Sequence, residues 1–120
     1  MPSIRVYLNP DVAEEMDPEI QLDLSQALRM EVAKTLEIDP AHVEVLWLPL
    51  DYGDNTAPVM IDVMYSIRPN FEPDEATRIL LADNLAKIGL KQEGMPKSVT
   101  EVASWILPQH DAIFRVTKAE

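Results

Sequence analysis

Few residues in this chain have a type and spacing that could do chemistry. His42 and His110 stand alone, without ligand spacing, and read as surface or capping residues rather than metal ligands. Glu14, Glu15, Asp17, Glu19 and Asp23 form the densest acidic run. They lack the spacing of a calcium loop and read as a solvated helix start that complements the helix dipole. The chain has no cysteine, which excludes disulfides and thiolate metal sites. Only Gly53, Gly89 and Gly94 are available for close backbone approach, so no glycine-rich phosphate loop exists. No nucleophile motif is present. No cofactor and no metal are therefore expected.

The elements that would position a site follow from periodicity. Ile4, Val6 and Leu8 alternate with Arg5 and Tyr7, the pattern of a first strand. Asn9-Pro10-Asp11 breaks it. Asp17-Pro18-Glu19 reads as a helix start, with Asp17 as N-cap and Pro18 at the first helical position. Ile20, Leu24, Ala27, Leu28, Val32 and Leu36 supply its apolar stripe, and Asp39-Pro40 ends it. His42–Leu50 is a second strand, apolar on both faces and so expected to be covered on both. Asp51–Thr56 is a loop, Val59–Ile67 a third strand, and Arg68–Glu72 a turn. Pro73-Asp74-Glu75 repeats the helix-start chemistry. The second helix carries Ala76, Ile79, Ala82, Leu85, Ala86 and Ile88 and stops near Gly89 or Gly94. Val99–Leu107 is a fourth strand and Ala112–Thr117 a short fifth one.

The two halves of this order match. Pro18 and Pro73 lie 55 residues apart, and Pro40 and Pro96 lie 56 apart. Both of the latter open a Pro-x-x-Val motif, ending in Val43 and Val99. Each motif is followed by a tryptophan, Trp47 and Trp105, which read as equivalent core or interface residues, with pocket lining as the other role for Trp105. A repeat of this length implies a duplicated strand–helix–strand unit. We expect one domain over residues 1–120, with repeats at about 2–51 and 58–111 and a terminal strand at about 112–117. The fold class is α/β (α+β): a four-stranded sheet with two helices on one face. The other face then lacks cover, and its apolar residues predict contacts between copies. Met16, Met30, Met60, Met64 and Met95 read as packing.

Composition narrows the partners. Of the 120 residues, 47% are apolar and 26% charged, a globular balance, and the formal net charge is −11. A surface this negative repels nucleic acid and anionic lipid, so neither is an expected partner. It also repels small carboxylates at long range, so a site for one needs local cations. Met1–Arg5 opens without an apolar signal region, and no run approaches a membrane span. Cytoplasmic localisation is the expectation.

With Met1-Pro2 leading straight into an amphipathic strand, two β-α-β units and a short last strand, the chain resembles the tautomerase superfamily. That family includes 4-oxalocrotonate tautomerase and macrophage migration inhibitory factor (MIF). The run Val63-Met64-Tyr65-Ser66-Ile67 is similar to the third strand of the MIF-like branch. The opening and this strand are also similar to 5-carboxymethyl-2-hydroxymuconate isomerase and to uncharacterised tautomerase-fold proteins. The resemblance implies a homotrimer with sites at subunit edges. It also implies a cofactor-independent keto–enol isomerase whose catalyst is Pro2, exposed when Met1 is removed. A free prolyl nitrogen is a secondary amine. An α-amino group titrates at roughly 7.7–8.0, and apolar burial or nearby cations lower it towards a neutral base. The implied substrate contacts are Ser66 and the Ile67 backbone, with Arg68 as local cation and an enol or 2-oxo acid as substrate. Other cations of the family have no counterpart. The stretch after the first strand is acidic, Glu44 stands where one branch has arginine, and Ile38 stands where another has lysine. The alternative is a relative without isomerase activity, serving as a small-molecule binding or interaction module.

Overall fold

The computed structural model describes residues 2–49, 57–67 and 71–109. The loop over 51–56, Arg68, His110 and the fifth strand lie outside them. Four strands form one mixed sheet: β1 Ser3–Leu8, β2 Glu44–Pro49, β3 Val59–Ser66 and β4 Val102–Gln109. The order is β2-β1-β3-β4. β1 pairs parallel to β2 and β3 parallel to β4, while β1 and β3 meet antiparallel at the centre. Two β-α-β pairs are thus joined edge to edge.

Alternation sorts the strands into two faces. Ile4, Val6, Leu8, Val59, Ile61 and Val63 share one face and are buried. Helices α2 (Pro18–Leu36) and α3 (Glu75–Lys91) cover it through Leu24, Leu28 and Val32 and through Leu81 and Leu85. Burying a leucine fully is worth about 2 kcal/mol, so these contacts hold the helices down. Asn84 Nδ2 also donates to Glu31 Oε1 at 2.9 Å, linking α3 to α2. The opposite face keeps Leu46, Trp105 and Leu107 exposed. β2 is an edge strand covered on one side only within the chain, not on both.

Helix α2 begins as its residues dictate: Asp17 accepts from the Glu19 N–H at 2.9 Å and Pro18 opens the helix. Its end comes earlier than Asp39-Pro40. Glu37 turns left-handed at φ 55°, and Asp39-Pro40 instead starts a 3₁₀ turn over Pro40–His42. The break at Asn9-Pro10-Asp11 is itself a helix start. Asn9 accepts from the Val12 N–H and caps α1, Pro10–Glu15. The helix-start chemistry is not an exact repeat, because Asp74 is the cap of α3 and Pro73 precedes it. α3 continues through Gly89, where the helix comes so near β4 that an added Cβ would lie 3.3 Å from the Val102 side chain. Gly94, at φ +86°, makes the turn beyond the helix.

The tryptophans are not equivalent. Trp47 lies opposite Val6 on the helix-covered face, and its indole N–H donates to Ser25 Oγ at 2.7 Å. Trp105 lies opposite Asp62 on the open face and is 44% exposed. Ser104 holds the position matching Trp47, with its hydroxyl donating to the Ala82 carbonyl at 2.6 Å. One extra residue ahead of β4, where Val99 and Thr100 form a turn on Pro96 and Ser98, moves Trp105 to the other face.

Candidate functional site

Two concavities flank the central strands. A cleft of about 360 Å³ on the open sheet face is lined by Tyr7, Met60, Asp62, Trp105 and Leu107. Its one carboxylate is engaged: Asp62 accepts from Arg5 Nε at 2.7 Å. That hydrogen bond is the main cause holding the Arg5 guanidinium above its ordinary value. The other is a cavity of about 210 Å³ at the end of the sheet where β1 begins and β3 finishes. This second cavity collects the groups with chemical potential.

The strands bring Pro2 there. The Pro2 carbonyl accepts from the Glu44 N–H at 3.0 Å, which fixes it beside the start of β2. The β1–β3 register sets Ser3 opposite Met64, so Pro2 runs alongside Tyr65 one step further on. Pro2, Tyr65 and Ser66 all line the cavity. α2 contributes Leu36, and the turn after it contributes Ile38 and His42. That turn is held by Asp39, which accepts from the Ala41 N–H at 2.9 Å, and by Arg29 Nε, which donates to the Val43 carbonyl at 3.1 Å. Phe71 and Pro73 close the remaining side, with Arg78 of α3 donating to the Pro73 carbonyl at 2.8 Å.

The lining is mostly apolar. Tyr65 is 4% exposed, and its hydroxyl has no hydrogen-bond partner among the described residues. Burial pushes the phenol above its ordinary value, against the opposing pull of the nearby Arg78 guanidinium. Ser66 and His42 are exposed. Ile67 does not line the cavity, and its N–H donates to the Gln109 carbonyl at 3.3 Å. Arg68 lies outside the described residues. Among the described residues no cluster of three His, Asp or Glu is placed to hold a metal ion, and no helix is long and apolar enough to cross a membrane.

Pt0534 inactivated by 2-oxo-3-pentynoate superposes with a TM-score of 0.66 at 22% identity, over 89% of this chain and 85% of that one. A macrophage migration inhibitory factor-like protein from Entamoeba histolytica gives 0.62 at 13% identity, over 90% and 88%. A fused 4-OT wild-type asymmetric trimer gives 0.58 at 16% identity, over 89% and 84%. All three are tautomerase superfamily structures. The chain has the tautomerase fold. Neither a protein-family model nor the sequence of a curated protein matches it.

Within the tautomerase fold, the sequence reading missed His42 and the aromatic wall. Chain distance hides them: His42 is brought to Pro2 only by the parallel pairing of β1 with β2. No local signal marked it: the sequence put His42 at the start of a strand, whereas it closes a 3₁₀ turn two residues before β2.

Proposed function

We propose that this chain is a cofactor-independent keto–enol tautomerase in which the Pro2 nitrogen, freed by loss of Met1, is the general base. The observation that carries the reading is the cavity itself: Pro2 lies in the wall of an apolar recess that also holds Ser66 and His42. Apolar surroundings favour the neutral amine over the ammonium. The nitrogen takes the proton of an enol hydroxyl and returns a proton to the neighbouring carbon, which leaves a ketone. The substrate is a small enol or 2-oxo acid. Ser66 and Arg68 are its expected contacts, while the Ile67 N–H is already taken by the Gln109 carbonyl. The lack of cysteine suits the cytoplasm.

The test begins with the intact mass, which must correspond to a chain starting at Pro2. Phenylenolpyruvate or 2-hydroxymuconate should then ketonise faster with the protein than without it. Acylating the terminal amine should stop the reaction. Pro2→Ala, which leaves a primary amine, should slow the reaction without abolishing it. If Met1 is retained, or if blocked protein works as well as free protein, the enzyme reading fails.

A second reading, a binding protein without isomerase activity, rests on one observation. Among the described residues lining the cavity, His42 is the only side chain that can carry positive charge. We further propose a homotrimer, because Leu46, Trp105 and Leu107 leave the open sheet face apolar. Light scattering on the eluting protein should give three times the 13.5 kDa chain mass. A monomer at micromolar concentration would refute this assembly.

A further inference from the structure

We propose that in the assembled protein the cleft over Asp62 receives the partner's Arg5, so that the Arg5–Asp62 pairs of neighbouring copies bond to one another head to tail. The proposal rests on the homotrimer reading and assigns the polar contact at the centre of its interface.

The chain carries a net charge of −11, yet its open sheet face is close to neutral. Strand alternation puts three charged residues on that face among those described: Arg5, Glu44 and Asp62. Glu44 stands at the start of the edge strand β2, while Arg5 and Asp62 cancel each other on the two central strands. Two copies of so acidic a chain repel each other over most of their surfaces. They meet at least electrostatic cost where the charge cancels. A basic partner gains nothing from such a face, which favours a second copy as the occupant.

The pair has bonding capacity left for that copy. Within the chain it makes one bond, from Arg5 Nε to Asp62 Oδ1 at 2.7 Å. A guanidinium also donates from its two terminal nitrogens, and a carboxylate accepts on both oxygens. Solvent can serve that remainder in the single chain, where the two side chains are 30% and 12% exposed. Register sets Leu46 opposite Arg5 and Trp105 opposite Asp62, and both are exposed. Covering these apolar residues takes solvent from the pair as well, and an ion pair buried with open bonds is costly. A second pair supplies what is lost, its cation for Asp62 and its anion for Arg5. The cleft of about 360 Å³, with Asp62 set among Tyr7, Met60, Trp105 and Leu107, has room for an incoming guanidinium and offers it an aromatic face. A pair that gives its positive end to one neighbour and receives another's at its negative end makes a heterologous contact, the kind that closes a ring.

The experiment makes one variant anionic at the pair, Arg5→Glu, and one cationic, Asp62→Lys. Light scattering over a dilution series gives the concentration at which each assembly half-dissociates. Each variant alone should need a roughly 10-fold higher concentration than the wild type, because like charges then meet across the contact. Mixed together, the two should assemble better than either alone, and native mass spectrometry should show mixed trimers in excess of unmixed ones. Recovery should be partial, since three copies in a ring cannot alternate two charge types. A pair that acts only inside its own chain gives no such rescue. If the mixture behaves as the sum of its parts, or if both variants assemble like the wild type, the proposal is overturned. Circular dichroism reports whether each variant is folded. Should either be unfolded, Arg5→Gln and Asp62→Asn replace them, and an unchanged half-dissociation concentration in both overturns the proposal. A monomeric wild type refutes the homotrimer reading and this contact with it, whereas a wild-type trimer indifferent to both residues refutes the contact alone.

Discussion

Asp62 and Tyr65 are buried polar residues on the same strand, and among the described residues only Asp62 has a hydrogen-bond partner of good geometry. Asp62 is 9% exposed on the open face and accepts from Arg5, its cross-strand neighbour. Tyr65 is 4% exposed on the helix-covered side, and its neighbour one step past Ser3 is Pro2, which offers no side-chain donor or acceptor. Arg78 stands close, but a guanidinium only donates, so the phenolic proton has no acceptor there. In the middle of the sheet, cross-strand pairing satisfies what it buries. At the end of the sheet the pairing runs out, and a cavity lies where the next partner would be.

The largest expected effect is on the paired side. Arg5→Leu leaves the Asp62 carboxylate without its donor and should cost about 2 kcal/mol, a fall in Tm of roughly 5–10 °C. Arg5→Leu combined with Asp62→Leu should recover most of that loss, since two apolar residues need no partner. A double variant no better than the single one would break the comparison. Tyr65→Phe should behave oppositely: loss of an unpaired hydroxyl should leave stability unchanged or raise it by up to about 1 kcal/mol. A clear loss in chemical denaturation would mean that the hydroxyl has a partner after all.

The smallest effect concerns Asp74, which caps the helix carrying Arg78. Hydrogen bonds from Thr77, first through its side chain and then through its N–H at 2.8 Å, hold this carboxyl below its ordinary 3.8. A carboxyl held low in the folded state stabilises fully above its unfolded value, and that contribution is lost as pH falls through the folded value. Asp74→Asn should therefore lower Tm slightly at pH 7, and the deficit should vanish in acid below the folded value. A deficit that stays constant down to pH 2 would show that the charge is irrelevant.

Much of this scaffold was legible in the residues. Ile4, Val6 and Leu8 give the first strand by strict alternation, and Asp17-Pro18 gives the long helix its start, because both signals are local. The errors share a cause. Asn9-Pro10 read as a break because its cap serves only a short helix. Ile79 was named among the apolar residues of the second helix and is 56% exposed, while Leu81, not named, is buried. Ala, Ile and Leu fill so much of α3 that periodicity alone did not choose its inner face. The tryptophans seemed equivalent until register placed them on opposite faces. For the site, Pro2 and Ser66 were named from the sequence and line one cavity. His42 and Phe71 were not named, because what joins them to Pro2 is pairing between distant segments.

The hydrogen bond from the Glu44 N–H to the Pro2 carbonyl has a practical consequence for anyone handling the protein. It pins Pro2 in the cavity wall, so the proposed catalytic nitrogen depends on what the chain carries ahead of Pro2. On the proposed mechanism, an amino-terminal affinity tag would turn the prolyl nitrogen into an amide and remove the base. On the same mechanism, a cleavage scar of one residue would be enough to remove it. Preparations meant for assays or ligand screening need their handles at the other end of the chain.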